Sequence, residues 1–180
     1  MNERGAGRPR VFDYDQALVA LVMLFWEKGF EATTQQDMLA RTGLSSSSLL
    51  NAFGSKSQIF DAVLNRYQKM QIEGLTPLRQ GEGGLDDLMN FIDQMELHVT
   101  GKKGCPRGCL AVKTMTGPSS SRAGIAEQLE NYRRNLNMAL EGSLSRAAGL
   151  GEIERLGLGG RVRILSATLI GILLLESWRK

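Results

Sequence analysis

The sequence predicts an all-α chain, and three observations carry that prediction. Apolar residues recur at spacings of three and four through most of its length, no stretch alternates with a period of two, and Ser, Thr or Asp opens several of the periodic segments. With 180 residues, 42% of them hydrophobic and 23% charged, the chain has the size of one ordinary domain or two small ones.

The first helix opens at Asp13, with Gln16 three positions on, and carries Ala17, Leu18, Leu21, Leu24 and Phe25 inward as far as Lys28. Gly29 stops it, because glycine accepts a left-handed terminus at little cost. A second, two-turn helix begins at Thr34, where Thr34-x-x-Asp37 is a capping box, and ends at Thr42-Gly43. The third runs from Ser45 to Phe53. The fourth opens on a second capping box, Ser55-x-x-Gln58, and continues through Ile59, Phe60, Val63 and Tyr67. Each cap contributes about 0.5–2 kcal/mol, so local chemistry delimits these short elements.

Gly81-Glu82-Gly83-Gly84, preceded by Thr76-Pro77, is expected as a flexible hinge, with the domain boundary between residues 74 and 84. Beyond it Leu85, Leu88, Ile92, Met95 and Val99 make one amphipathic helix. A short segment near 105–115 follows, then a loop at Gly117-Pro118-Ser119-Ser120-Ser121. A long helix carries Ile125, Leu129, Tyr132, Leu136, Leu140 and Leu144, and a last one covers about 161–178. The expected organisation is a basic arm over 1–12, a first helical unit over 13–74 and a second helical unit over 84–180.

The charge pattern sets the partners. Residues 1–60 hold six basic and six acidic side chains, residues 61–98 three against seven, and residues 99–180 thirteen against six. The net charge of +3 therefore comes from the C-terminal half, and nucleic-acid binding in the first half has to rest on placement rather than on charge excess. The longest apolar runs, 17–26 and 164–175, fall short of the roughly 20 residues of a bilayer span, and no secretory pattern is visible at Met1. The expectation is a cytoplasmic chain without a membrane partner, with Cys105 and Cys109 reduced.

The second and third helices, joined by a tight turn through Gly43, have the lengths of a helix-turn-helix whose second helix enters the major groove. Leu49 and Phe53 would pack inward with Leu44, while Ser46, Ser47, Leu50 and Asn51 look outward. Four successive serines, Ser45 to Ser48, are poor helix formers, but hydroxyls and free N-terminal amides suit a phosphate or a base edge.

The run from Ala17-Leu18 to Lys28-Gly29-Phe30-Glu31-Ala32-Thr33-Thr34, then Asp37-Met38-Leu39-Ala40-Arg41-Thr42-Gly43-Leu44-Ser45, then Phe53-Gly54-Ser55-Lys56, resembles the N-terminal domain of the TetR family of transcriptional regulators. The resemblance implies a homodimer that binds a palindromic double-stranded operator, acts as a repressor, and releases DNA when a small-molecule effector enters the C-terminal domain. Carried onto this sequence, Thr34 caps the second helix and touches phosphate, Ser46 and Ser48 face DNA, and Lys56 reaches a phosphate. Two positions depart from the family pattern: Leu50 stands where an aromatic is usual, and Gln36 where a basic residue is common. Leu50 retains contact with a thymine methyl, and Asn51 has the groups to pair with adenine. Backbone contact is assigned to Thr34, Ser45, Ser48 and Lys56, and base contact to Ser46, Ser47, Leu50 and Asn51. Arg8 and Arg10 flank Pro9 on an arm suited to a narrow minor groove, or serve only as a solvating tail.

In the second half, Cys105-Pro106-Arg107-Gly108-Cys109 is the pointed feature. Two cysteines and one histidine, His98, do not supply the four ligands of a structural zinc, so no metal and no cofactor is expected. Lys102, Lys103 and Arg107, with a helix start near Gly108, would lower a thiol pKa and make a redox or electrophile sensor. The alternative for Cys109 is a small buried residue at a helix start; a Cys105–Cys109 disulfide stays open. Residues 108–114 are similar to the sixth helix of a TetR subgroup that includes electrophile-sensing repressors. Met89, Phe91, Met95, Met115 and Tyr132 are candidates to line an effector cavity, against a plain core role for the methionines. The last helix is apolar nearly all round, and dimerisation is its expected cover. Many family members have a further helix there; after Trp178 the alternatives are a shorter interface or an abbreviated sequence. No enzymatic activity is expected. The rival functions are a small thiol oxidoreductase using Cys105 and Cys109, which lacks a sheet and Cys-x-x-Cys spacing, and a helical interaction protein without DNA binding.

Overall fold

A computed structural model describes residues 13–101, 106–121 and 124–178. Its helices are α1 (Tyr14–Ala32), α2 (Gln35–Thr42), α3 (Ser46–Phe53), α4 (Lys56–Gly74), α5 (Thr76–Gln80), α6 (Leu85–Thr100), α7 (Leu110–Thr116), α8 (Ile125–Gly149) and α9 (Leu158–Trp178). A 3-10 turn at Pro118–Ser121 joins α7 to α8, and the described residues contain no strand.

The local signals act where they were expected. Asp13 accepts the Gln16 N–H at 3.0 Å, and both capping boxes close, Thr34 with Asp37 and Ser55 with Gln58. Gly43, at φ 69°, ends α2 in the left-handed conformation. Gly29, at φ 78°, breaks the axis of α1, and Phe30 to Ala32 continue as a separate turn within the same element. Leu21, Val22, Phe25, Phe60 and Val63 are fully enclosed, with the Phe25 and Phe60 rings 5.1 Å apart.

Two expectations are corrected. The stretch from Thr76 to Gly84 is packed, not a free hinge. Pro77 lies in the first turn of α5, where its missing N–H costs nothing, and Leu75 and Leu78 are buried. Arg146 of α8 donates to the Leu78 carbonyl at 2.7 Å, and the Ser143 hydroxyl donates to the Gly84 carbonyl at 2.8 Å. A Cβ on Gly84 would lie 3.0 Å from the Ala147 Cα, so this glycine allows a close backbone approach as well as a turn. One hydrophobic cluster consequently runs from Ala17 to Leu173 across the junction.

The second correction concerns α9. It is longer than the apolar run suggested, and Leu158–Glu176 is long and apolar enough by composition to cross a bilayer, with a mean hydropathy of 1.7. Val162, Ser166, Leu169 and Leu173 form a buried stripe against the other helices, chiefly α8, while Ile164 and Leu175 are 68% and 69% exposed.

Candidate functional site

The outward face of α3 is built by its inward residues. Leu49 and Phe53 are buried, Tyr14 stacks on Phe53 at 4.5 Å, and this fixes the helix so that Ser46, Ser47, Leu50 and Asn51 are all exposed. Leu50 is 60% exposed, an apolar side chain held in water by the register of its helix. At the N-terminus, Ser45 accepts the Ser48 N–H at 3.1 Å while its hydroxyl donates to Ser48 Oγ at 2.8 Å and lies 3.1 Å from Ser47 Oγ. The four serines thus cap their own helix and still present oxygens outward. Gln35, in the first turn of α2, donates through Nε2 to Ser46 Oγ at 2.8 Å and ties the two helices of the motif together. The sequence reading missed that residue, although the short turn at 43–45 brings it there.

The residues assigned to the DNA backbone are partly engaged with the protein. The Thr34 hydroxyl lies 2.8 Å from the Asp37 carboxylate, and Lys28 approaches the same carboxylate at 2.6 Å. These partners, Lys28 first and then Thr34, hold Asp37 well below the usual carboxylate range. Lys56 is folded back, with Nζ 4.5 Å from the centre of the Phe30 ring and 3.5 Å from the Glu31 carbonyl. The break at Gly29 places an aromatic face and the Glu31 carbonyl within range of the ammonium in the absence of DNA. Contact with phosphate requires Lys56 to swing outward. Arg8, Arg10 and Cys105 lie outside the described residues, as do the side chains of Met115 and His98.

A second constellation lies behind the motif, at the start of α7. Cys109 occupies the N-cap position of α7 and is 4% exposed. The Tyr67 hydroxyl donates to its Sγ at 3.4 Å and accepts the Leu110 N–H at 3.3 Å. Tyr67 packs edge-on against Trp26, whose indole N–H donates to the Gly108 carbonyl at 3.1 Å. Lys113 then returns to α1, donating to the Trp26 carbonyl at 3.2 Å, just before the break at Gly29. Farther along, the Ser119 hydroxyl donates to Glu31 at 2.7 Å. These bonds join the segment around Cys109 to the end of α1 that leads directly into α2.

The electrostatics of Cys109 correct an expectation. Burial pushes its thiol pKa up, and the hydrogen bonds from Tyr67, Val112 and Ala111, with the charge of Lys113, offset only part of that. The helix N-terminus is present, as the sequence suggested, but desolvation is the larger effect. Burial likewise raises the Tyr67 pKa, and it lowers that of half-buried Lys113.

The cavity-lining candidates divide. Tyr132 is buried beside Cys109, and both line a cavity of about 230 Å3 between α7, α8 and α9. Met89 is 55% exposed on the outer face of α6, which removes it from any enclosed cavity; Met95 is core, and Phe91 is half-buried against that core. Met89 and Met95 mark α6 rather than this cavity.

A helix-turn-helix with an exposed, polar second helix, fused to a helical body with a largely apolar pocket, defines a DNA-binding regulator of the one-component kind. Residues 17–63 match the family of bacterial regulatory proteins, tetR family. The chain is 30% identical over 156 residues to the HTH-type transcriptional repressor ComR of Escherichia coli, covering 84% of this chain and 72% of that protein. It belongs to the TetR family of DNA-binding transcriptional repressors. Solved structures share its fold: a cysteine mutant of the TetR family regulator CifR complexed with 26-bp double-strand operator DNA superposes with a TM-score of 0.73 at 21% identity, covering 94% of this chain and 90% of that one. The reduced form of Escherichia coli NemR gives 0.72 at 20% identity, covering 90% and 86%.

Proposed function

We propose that this chain is a homodimeric repressor that reads a palindromic operator through α3 and is released by a small molecule or by modification of Cys109. The exposed face of α3 carries the reading. Ser46, Ser47, Leu50 and Asn51 meet base edges, with Leu50 on a thymine methyl and Asn51 on adenine N6 and N7. Thr34, Ser45, Ser48 and Lys56 meet phosphates, aided by the N-terminal amides of α3. Dimerisation uses the exposed apolar side of α9, where Ile164 and Leu175 stand out of the core. Release runs through the bonds of α7 to α1: a group added at Cys109 displaces Tyr67 and Gly108, and Trp26 and Lys113 carry the displacement to the kink before α2. We assign the chain to transcriptional control rather than thiol-disulfide chemistry, since Cys109 is buried and burial raises its thiol pKa.

A gel-shift titration with the DNA upstream of its own gene tests the first half. Binding at least about a hundredfold tighter than to random duplex at the same salt is expected, whereas equal affinity for both defeats the reading.

A further inference from the structure

We infer that the cavity between α7, α8 and α9 binds a small uncharged molecule, about the size of one substituted ring, that carries a single hydrogen-bonding oxygen for the Tyr132 hydroxyl. The inference rests on the sensing role proposed above and names the class of effector. Size comes first. The cavity measures about 230 Å3, below the roughly 300–1,000 Å3 of drug-sized sites and above the roughly 150 Å3 that accommodates benzene in an engineered apolar cavity. Its lining is largely apolar, with Val112, Leu129, Ile170 and Leu173 around Cys109 and Tyr132.

Charge comes next. The two ionic residues at its edge, Glu130 and Arg133, bond each other in a two-pronged pair at 2.6 and 2.8 Å. Both are about half exposed and already paired, so the apolar wall of the pocket offers no unpaired charge to a ligand and favours an uncharged guest. The polar group comes last. Tyr132 is nine-tenths buried as a residue, and its hydroxyl has no hydrogen-bond partner among the described residues; the oxygen is not one of the fully enclosed atoms left unsatisfied, so it remains accessible. An accessible hydroxyl is met by water, which a ligand oxygen in this pocket can replace. Tyr132 also borders a narrower space of about 20 Å3 that Cys109 shares with Tyr67, so a guest held there lies against the thiol and the ring that links α7 to Trp26.

The test uses the full chain and four probes of nearly equal size: benzyl alcohol, toluene, benzoate and benzylammonium, each titrated by calorimetry against wild type and Tyr132→Phe. Wild type is expected to bind benzyl alcohol and toluene and to reject both ions. Tyr132→Phe should weaken benzyl alcohol about five- to tenfold and leave toluene unchanged. Tyr132→Phe retains the ring, so its folding serves as its own control through toluene binding. Binding of either ion as tightly as benzyl alcohol overturns the proposal. So does an unchanged affinity of Tyr132→Phe for benzyl alcohol, or failure of both neutral probes to bind, as occlusion by a second copy would produce. Operator affinity measured on the same wild-type sample separates the two claims. Tight DNA binding without probe binding rejects only this inference, and absent DNA binding rejects the regulator.

Discussion

The face of α3 and the chamber around Cys109 are opposite solutions to the placement of polar groups. On α3 the serine hydroxyls are exposed and bonded to one another over two or three residues, so they can exchange those bonds for water, phosphate or base at little cost. Around Cys109 the thiol and the Tyr67 hydroxyl are buried and bonded across 42 residues of chain, and half-buried Lys113 bonds across 87, so breaking the enclosed bond leaves an unsatisfied group with no water to take it. The first region is built to be remodelled by a partner. The second is held by long-range bonds and resists rearrangement.

The largest effect should come from the residue that belongs to both the α1 core and the chamber. Trp26→Ala removes a buried ring packed on Tyr67 together with the bond to Gly108, and is expected to cost about 3–5 kcal/mol in denaturant unfolding, with operator binding lost at elevated temperature. A loss below 1 kcal/mol would remove Trp26 from its bridging role. Lys113→Met is the next step down. It retains the aliphatic packing but removes the cation from the carbonyl end of the first part of α1, for an expected cost of about 1–2 kcal/mol. If Lys113 links the two regions, this variant also reduces the change in operator affinity that Cys109 modification causes in wild type. An unaltered response would confine Lys113 to stability.

Thr34→Ala tests the exposed region alone. Loss of the α2 cap should cost about 1 kcal/mol without changing the reactivity of Cys109 towards a thiol reagent. Among DNA contacts, Asn51→Ala should relax preference at one base pair, whereas Lys56→Ala should weaken all duplexes alike and reduce the salt slope by about one. The same loss from both substitutions on every sequence would remove the base-reading assignment from Asn51.

The pH dependence separates the regions as well. The folded pKa of Cys109 is raised, so the folded state keeps a proton that the unfolded chain releases above its ordinary value of 9.0. Its contribution to stability is complete below that pH and is lost as pH rises through the folded pKa. Tyr67 adds a loss of the same sign at higher pH, and Lys113, with its lowered pKa, adds one of opposite sign, so a direct comparison with Cys109→Ala isolates the thiol. The melting temperature of wild type should fall more steeply above pH 9 than that of Cys109→Ala. Parallel curves would contradict the assigned burial.

The difference between the regions also explains what the sequence could disclose. In 13–74 the helix starts and the end of α2 are set by residues no more than three positions away, as in Thr34 with Asp37, Ser55 with Gln58 and Gly43 after Thr42, so these limits and the outward face of α3 are legible in one pass, whereas the extra turn of α1 past Gly29 was not. The folded-back position of Lys56 was not, because it depends on the break at Gly29 and on the Phe30 ring this brings beside it. In the second half the helices are legible by period, but the contacts that give Cys109 its character join it to Tyr67, Trp26 and Lys113. A cluster of basic residues near a cysteine suggests a lowered pKa; only the packing shows that desolvation prevails. Pro77 and the glycines at 81–84 read as a break for a related reason, since composition does not disclose that α8 packs against them.

The central claim is that the state of Cys109 controls the hold of α3 on DNA. It is tested most directly by measuring operator affinity before and after alkylation of the thiol with N-ethylmaleimide, in wild type and in Cys109→Ser. The expected result is at least a tenfold loss of affinity in alkylated wild type and no change in treated Cys109→Ser. Stoichiometric alkylation of Cys109, verified by mass, with operator affinity unchanged would contradict the coupling.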